Sequence, residues 1–238
     1  MKKFYLLLVC FGVVLNAKAA ENNTTKLTLL QDKVNRAIIK FENTDKTLWS
    51  YTVSRYENEE GDISSSVEQH SPHSNQQWTL KRINGQQPTE KQIKQFVKNK
   101  KKRNNNDKQG KNIQFPLRKL IKPESLSFVS NDDKSIVLAF DVHLERLGKD
   151  SIGKLTGKLI YQKQKQFIEK ITIWNNADFS PMLTANITDL IMSFTFLDIN
   201  GAVLIKQNKL EMKGSFAYFT RINETSQDEF SDYVYLGE

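Results

Sequence analysis

Hydrophobic positions along this chain recur with two periods, 3.6 and then 2, and the switch between them divides it into elements. Leu27, Leu30, Val34, Ala37, Ile38 and Phe41 fall at helical spacing while Gln31, Lys33, Arg36 and Lys40 keep the opposite face polar, which predicts an amphipathic helix over 26–42 that Thr24 or Thr25 can cap. The period then becomes 2. Trp49, Tyr51 and Val53 alternate with polar residues, Ile63 and Val67 do so more weakly, and Trp78 and Leu80 follow, giving strands near 47–57, 62–69 and 76–83. Gly61-Asp62 serves the first turn and Ser71-Pro72 breaks the second connection. No helix-length segment separates these strands, so they form a meander and not a parallel crossover. Pro88-Thr89 opens a second helix over 89–101, where Thr89 and Gln92 have capping-box spacing and Ile93, Phe96 and Val97 form one short apolar stripe.

The β period resumes at Ser125. Leu126 and Phe128 mark a short strand, Asn131-Asp132-Asp133 a turn, and Ile136, Leu138, Phe140, Val142 and Leu144 a cleanly alternating strand. Five more strands are expected over 155–161, 168–174, 190–196, 203–212 and 216–222, with Asn200-Gly201 as a tight hairpin between the third and fourth. The acidic tail beyond Glu224 carries Phe230, Tyr233 and Tyr235, which suit a docked segment. The expectation is an α+β, mainly antiparallel β fold. About ten strands with short loops curl into a strongly bent sheet or incomplete barrel, with two helices packed on or in it.

The late strands are apolar on both sides. Leu190, Met192, Phe194 and Phe196 share one face while Ile187, Ile191 and Leu197 lie opposite, and Phe216 and Tyr218 lie opposite Ala217 and Phe219. A sheet with one buried face alternates apolar and polar. Either helices and loops cover the second face, or Leu190, Met192, Phe194, Phe196, Phe216 and Tyr218 line an apolar cavity for a lipid or acyl chain.

The first residues read as an address. Lys2 and Lys3 precede an apolar run over 4–15 and the small-x-small site Ala17-Lys18-Ala19, the pattern of an export signal cut after Ala19, leaving one domain over 20–238. The run is shorter than the roughly 20 apolar residues of a spanning helix. Cys10 is the only cysteine and lies within that run behind Val9, so a lipid anchor, a disulfide framework, a thiolate nucleophile and a zinc–cysteine site are not expected. A periplasmic protein held together by its core alone is the consequence, and a monomer is the expectation.

Charge adds one feature. The net +8 is concentrated between 91 and 122, where twelve Lys or Arg face one acid, Asp107, so that the rest of the chain after the export segment is net acidic. The stretch 98–112 reads as a mobile basic loop, with Lys98, Lys100, Lys101, Lys102 and Arg103 able to contact an anionic membrane surface or an envelope protein. It contains no aromatic residue for base stacking, and the address does not suit nucleic acid.

Motifs of catalysis are sparse. His70 and His73 flank Ser71-Pro72, His143 sits on the polar side of a strand, and no Gly-x-Ser-x-Gly elbow, phosphate loop or dinucleotide fingerprint occurs. Neither a metal site nor a cofactor is expected, and Asp132-Asp133 suits a turn; a hydrolase would require carboxylates brought together in space.

The order of elements, an N-terminal amphipathic helix, a three-strand meander, a short helix and a long antiparallel run, resembles the Lol-like half-barrel family of periplasmic lipoprotein carrier and outer-membrane receptor. That resemblance implies acyl chains held under lid helices, and an early-strand arginine that matters; no motif assigns that role to Arg55. Trp78-Thr79-Leu80, Asn84-Gly85, Pro88-Thr89-Glu90-Lys91-Gln92 and Phe96 also look like a pattern in uncharacterised exported bacterial proteins. The functional expectation is a non-enzymatic binding or carrier protein for a lipid or acylated ligand, the alternative an envelope assembly protein with a filled core that binds protein through its sheet edge or tail.

Overall fold

The structure, a computed structural model, describes residues 26–106, 117–144, 147–217 and 220–237, with the backbone only at 103–106. The export segment, positions 107–112 of the basic stretch, Tyr218 and Phe219 lie outside the described residues. The elements in order are α1 (26–42), β1 (Trp49–Glu59), β2 (Asp62–His70), β3 (Trp78–Ile83), α2 (Glu90–Asn106), α3 (Leu117–Leu120), β4 (Ser127–Asn131), β5 (Ser135–Asp141), β6 (Leu155–Gln162), β7 (Phe167–Asn175), β8 (Phe179–Met182), β9 (Ala185–Ile199), β10 (Ala202–Phe216) and β11 (Thr220–Tyr235).

All eleven strands join one antiparallel sheet in the order β3-β2-β1-β11-β10-β9-β7-β6-β5-β4, with β8 paired to β9. The sheet is curved and open: β3 and β4 are its two edges. The expected α+β architecture with a bent sheet is what the chain adopts.

One row of paired residues explains how the sheet is divided. Leu138, Leu159, Ile171, Phe194, Asn208, Asp228, Arg55, Ser66 and Ile83 are successive cross-strand partners from β5 to β3. The first three are fully buried, Phe194 is half-buried, and from Asn208 onward the row turns polar and charged before ending on an apolar residue. Over β5–β9, α1 lays Leu30, Val34, Ala37, Ile38 and Phe41 on the apolar rows, and α3 adds Leu117 and Leu120 to the same core. The Phe41 ring meets Phe196 edge-on at 5.1 Å, Lys40 bonds Asp198 at 2.7 Å, and the Thr44 hydroxyl accepts from the Val203 N–H at 3.0 Å, so the end of α1 is pinned across β9 and β10.

Two tight geometries follow from sequence. Asn200 (φ 52°) and Gly201 (φ 92°) take the left-handed backbone that a two-residue hairpin needs, and β9 and β10 pair over nearly their whole length behind them. On β6, a side chain at Gly157 would collide with the Phe140 ring of β5, so glycine makes room for a core aromatic.

Three expectations are corrected. The last strand is not 216–222: β10 runs to Phe216, and the acidic tail itself is β11, in the middle of the sheet between β1 and β10. Its polar sequence hides this because its helix-side residues Glu224, Ser226 and Asp228 pair with Glu59, Glu57 and Arg55 on β1, while Met212 and Leu210 of β10 flank only the first two. The phase of β2 is inverted: Ile63 is 56% exposed, while Glu68 is 5% exposed on the inner face. Finally, the basic stretch is helical through Asn106, because its lysines stand on the solvent face of α2 while Phe96 and Lys100 bind it to the sheet.

Candidate functional site

The polar part of that row forms a seam of charge beneath α2. Arg55 follows Trp49, Tyr51 and Val53 in the same phase of β1, which turns a guanidinium inward. Its Nε donates to Glu68 Oε1 at 3.1 Å and its Nη1 to Asp228 Oδ2. The second oxygen of Glu68 accepts from Lys100 Nζ at 2.6 Å, and Ser66 Oγ donates to Glu68 Oε1 at 3.3 Å. Two cations and two carboxylates from β1, β2, β11 and α2 are thereby neutralised in one network. Such a network is costly to desolvate but costlier still to break on one side.

The two carboxylates are held differently. Burial raises the pKa of both, but for Glu68 Arg55 and Lys100 outweigh it and hold the group below the usual carboxylate range. Asp228 stays above that range, because burial is opposed by Arg55 alone and the nearby charges of Glu68 and Glu57 add to it. The Arg55 guanidinium is itself raised: burial lowers it, and Asp228 and Glu68 more than compensate. Glu68, saturated with donors and ionised, is a poor general acid.

An aromatic group abuts the seam toward the start of β1. Tyr51 lies 4.9 Å from the His70 ring, 5.9 Å from Trp78, 5.8 Å from Phe230 and 5.4 Å from Tyr233. Trp49 packs 5.2 Å from Tyr235, and the Tyr233 hydroxyl donates to the Ile205 carbonyl at 2.6 Å. Burial pushes the Tyr51 hydroxyl up to about 12 and lowers His70, so both rings favour their neutral forms. Lys100 Nζ sits 3.8 Å from the Trp78 ring centre and 5.2 Å from that of Phe96, tying the charged seam to the aromatics.

Between α2 and the β1–β3 end of the sheet lies a cleft of about 400 Å³. Its floor carries Arg55, Glu57, Ser64, Ser66 and Glu68, and its roof Gln92, Phe96, Asn99 and Lys100 from one face of α2. On the other side of that helix, Lys91, Lys94, Lys98, Lys101 and Lys102 are exposed. Their spacing places them along one stripe.

The residues expected to act from sequence fall in three places. Leu190 and Phe196 are 2% and 3% exposed and belong to the filled core. Met192 and Phe194 are half-buried at its margin beside Leu210, Met212 and Ile222, so an apolar strip crosses β9, β10 and β11 between the two helix-covered regions. Phe216 is 45% exposed at the end of β10, and Tyr218 lies outside the described residues. Of the basic residues, Lys98, Lys101 and Lys102 are exposed as expected, and Lys91 and Lys94 join them. Lys100 is a correction: it turns inward to Glu68, with its side chain 14% exposed. The side chain of Arg103 lies outside the described residues. His70, which precedes the Ser71-Pro72 break, ends β2 within the aromatic group, while no cluster of metal-ligating side chains occurs among the described residues. Sequence reasoning missed Glu68 and Asp228; for Arg55 the available signal was a charge in phase with three apolar residues.

No protein-family model matches the chain, and no curated protein matches it in sequence. Among solved structures, a DUF1329 family protein from Desulfovibrio piger is similar over 84% of this chain and 90% of that one, at 9% identity and a TM-score of 0.33. The resemblance to the lipoprotein carriers therefore rests on the order of elements alone. Among the described residues, no helix is long and apolar enough to cross a membrane.

Proposed function

We propose that this is a non-enzymatic binding or carrier protein of the bacterial envelope whose ligand is a lipid or an acylated molecule. The observation that carries this reading is the apolar strip of Met192, Phe194, Leu210, Met212 and Ile222, half-buried and packed against the margin of the core. An acyl chain laid along it would gain about 25 cal/mol for each Å² of apolar surface withdrawn from water. The lysine stripe on α2 supports the same reading, since an anionic bilayer is a source of acyl chains and attracts such a face by about 1 kcal/mol per lysine near its surface.

Mass spectrometry of organic extracts from the purified protein, with titration of a fluorescent fatty acid, tests the strip. Co-purifying lipid and saturable probe binding that Leu210→Asp and Met192→Asp abolish are expected. Absence of both lipid and probe binding would overturn the reading.

A second reading, docking of a partner protein, is favoured by β4. This edge strand is exposed along its whole length, with Phe128 49% and Val129 44% exposed, and an unpaired edge can accept an added strand. In that case pull-downs would recover a protein partner without lipid, and Val129→Pro would abolish the capture.

A further inference from the structure

We propose that the cleft beneath α2 is a binding site for a neutral saccharide unit, distinct from the apolar strip and argued on different residues. The cleft holds two kinds of surface. Phe96, Leu80 and Ile83 form an apolar side, and Ser64, Ser66, Gln92, Asn99 and Glu57 supply hydrogen-bonding groups around it. The helix contributes carboxamides on this face and keeps its exposed lysines on another, an arrangement that burial of apolar surface alone does not require.

The hydrogen-bonding capacity of these groups is only partly used. Gln92 Oε1 accepts from the Thr89 N–H at 2.8 Å and the Thr89 hydroxyl at 2.9 Å, which leaves its amide NH₂ as a donor. Asn99 Oδ1 accepts from Gln95 Nε2 at 2.9 Å and likewise leaves an NH₂ group. On the floor, Ser66 donates to Glu68 and retains acceptor capacity, while Glu57 brings a carboxylate acceptor. Donors on one wall facing acceptors on the other suit hydroxyl groups, which both donate and accept. The apolar side suits the C–H face of a sugar ring.

Charge decides between ligand classes. Arg55 and Lys100 are consumed by Glu68 and Asp228, so neither offers an unpaired cation to an anionic ligand, and an anion would also face Glu57. A cation would find the carboxylates of Glu68 and Asp228 already occupied by Arg55 and Lys100, and would be repelled by the lysine stripe outside. A neutral polyhydroxyl ligand meets neither penalty. The sugar has two possible sources, a free saccharide or the head of a neutral glycolipid.

The test is calorimetric titration and saturation-transfer NMR on the purified protein with methyl glucoside, maltose and methyl galactoside, alongside glucosamine and glucuronate as charged counterparts. Saturable binding of at least one neutral sugar is expected, together with an affinity about tenfold weaker in Gln92→Leu and Asn99→Leu. Both positions are exposed, and unchanged circular dichroism and melting would show that the variants keep the fold. A second arm uses vesicles of neutral phospholipid with and without a monoglycosyl diacylglycerol: capture that soluble sugar competes away assigns a glycolipid head, and binding of soluble sugar alone assigns a free saccharide. Failure of every neutral sugar, binding of a charged counterpart as tight as its neutral analogue, or unaltered binding by both variants would overturn the proposal. None of these outcomes depends on the fatty-acid titration that tests the apolar strip.

Discussion

Glu68 and Asp228 share one guanidinium, yet they respond to pH in opposite ways. Glu68 holds its proton less readily in the fold than in the unfolded chain, so its stabilising contribution is full above the ordinary carboxylate range and is lost as pH falls through its lowered folded value. Asp228 holds its proton more readily when folded, so its contribution is full below the ordinary range and is lost as pH rises through its raised folded value. Melting curves recorded from neutral to acid pH are expected to separate the two. Glu68→Gln should cost about 3 kcal/mol at neutral pH, because it strands Arg55 and Lys100 together, and should flatten the acid limb. Asp228→Asn should cost less than about 1 kcal/mol and flatten the limb above the carboxylate range. Equal losses at neutral pH would mean that Arg55 is shared evenly and that Lys100 adds nothing. Gly157 is a second residue with a single dominant reason: Gly157→Val should cost about 2–3 kcal/mol in urea unfolding, since the added branches must displace the Phe140 ring.

At the scale of the element, α2 is a helix with two charged jobs. Only Ile93, Phe96 and Val97 are apolar in its described length, so hydrophobic burial alone is a weak attachment. Lys100 supplies the rest through Glu68 and Trp78. Lys100→Ser is therefore expected to lower stability by about 2 kcal/mol, whereas replacing Lys91, Lys94, Lys98 and Lys101 together by Ser should leave the melting temperature nearly unchanged. The fourfold variant should instead lose binding to anionic vesicles, and wild-type binding should weaken as salt rises. Differential scanning fluorimetry with vesicle sedimentation separates these effects. A large fall in melting temperature for the fourfold variant would show that the stripe is packed structure.

For the whole molecule, the seam makes the two sides of the sheet unequal. The α1 side buries most of the large apolar side chains, from Leu138 and Phe140 through Leu159, Ile171 and Ile173 to Phe196. The β1–β3 side buries Trp49, Val53 and Leu80 and relies on ion pairs and aromatic contacts for the remainder. Local opening follows buried apolar contact, so amide hydrogen exchange is expected to be slowest in β6, β7 and β9 and distinctly faster in β2 and β3. Because β11 lies between β1 and β10, removing residues 220–237 should abolish cooperative unfolding and not merely fray one edge. Retention of a single cooperative transition in that truncation would show that the α1 side folds without its central neighbour.

What the sequence alone determined was the local grammar: helix 26–42, the second helix from Thr89, the meander, the Asn200-Gly201 hairpin and the antiparallel class, all of which depend on spacing and turn chemistry within short windows. What only the tertiary structure decided depends on which strands become neighbours. The tail carries too few apolar residues to read as a strand, and becomes one because β1 and β10 supply hydrogen bonds on both sides and Arg55 answers Asp228. The phase of β2 was set by Arg55 and Lys100 converging on Glu68, which outweighed the exposure of Ile63. Lys100 could not be told from its lysine neighbours until the helix and sheet came together, since one position in a basic run faces a buried carboxylate only when both are in place. The filled core around Leu190 and Phe196, and the half-buried strip that includes Met192 and Phe194, likewise depend on where α1 ends across the sheet, a distance that no periodicity encodes.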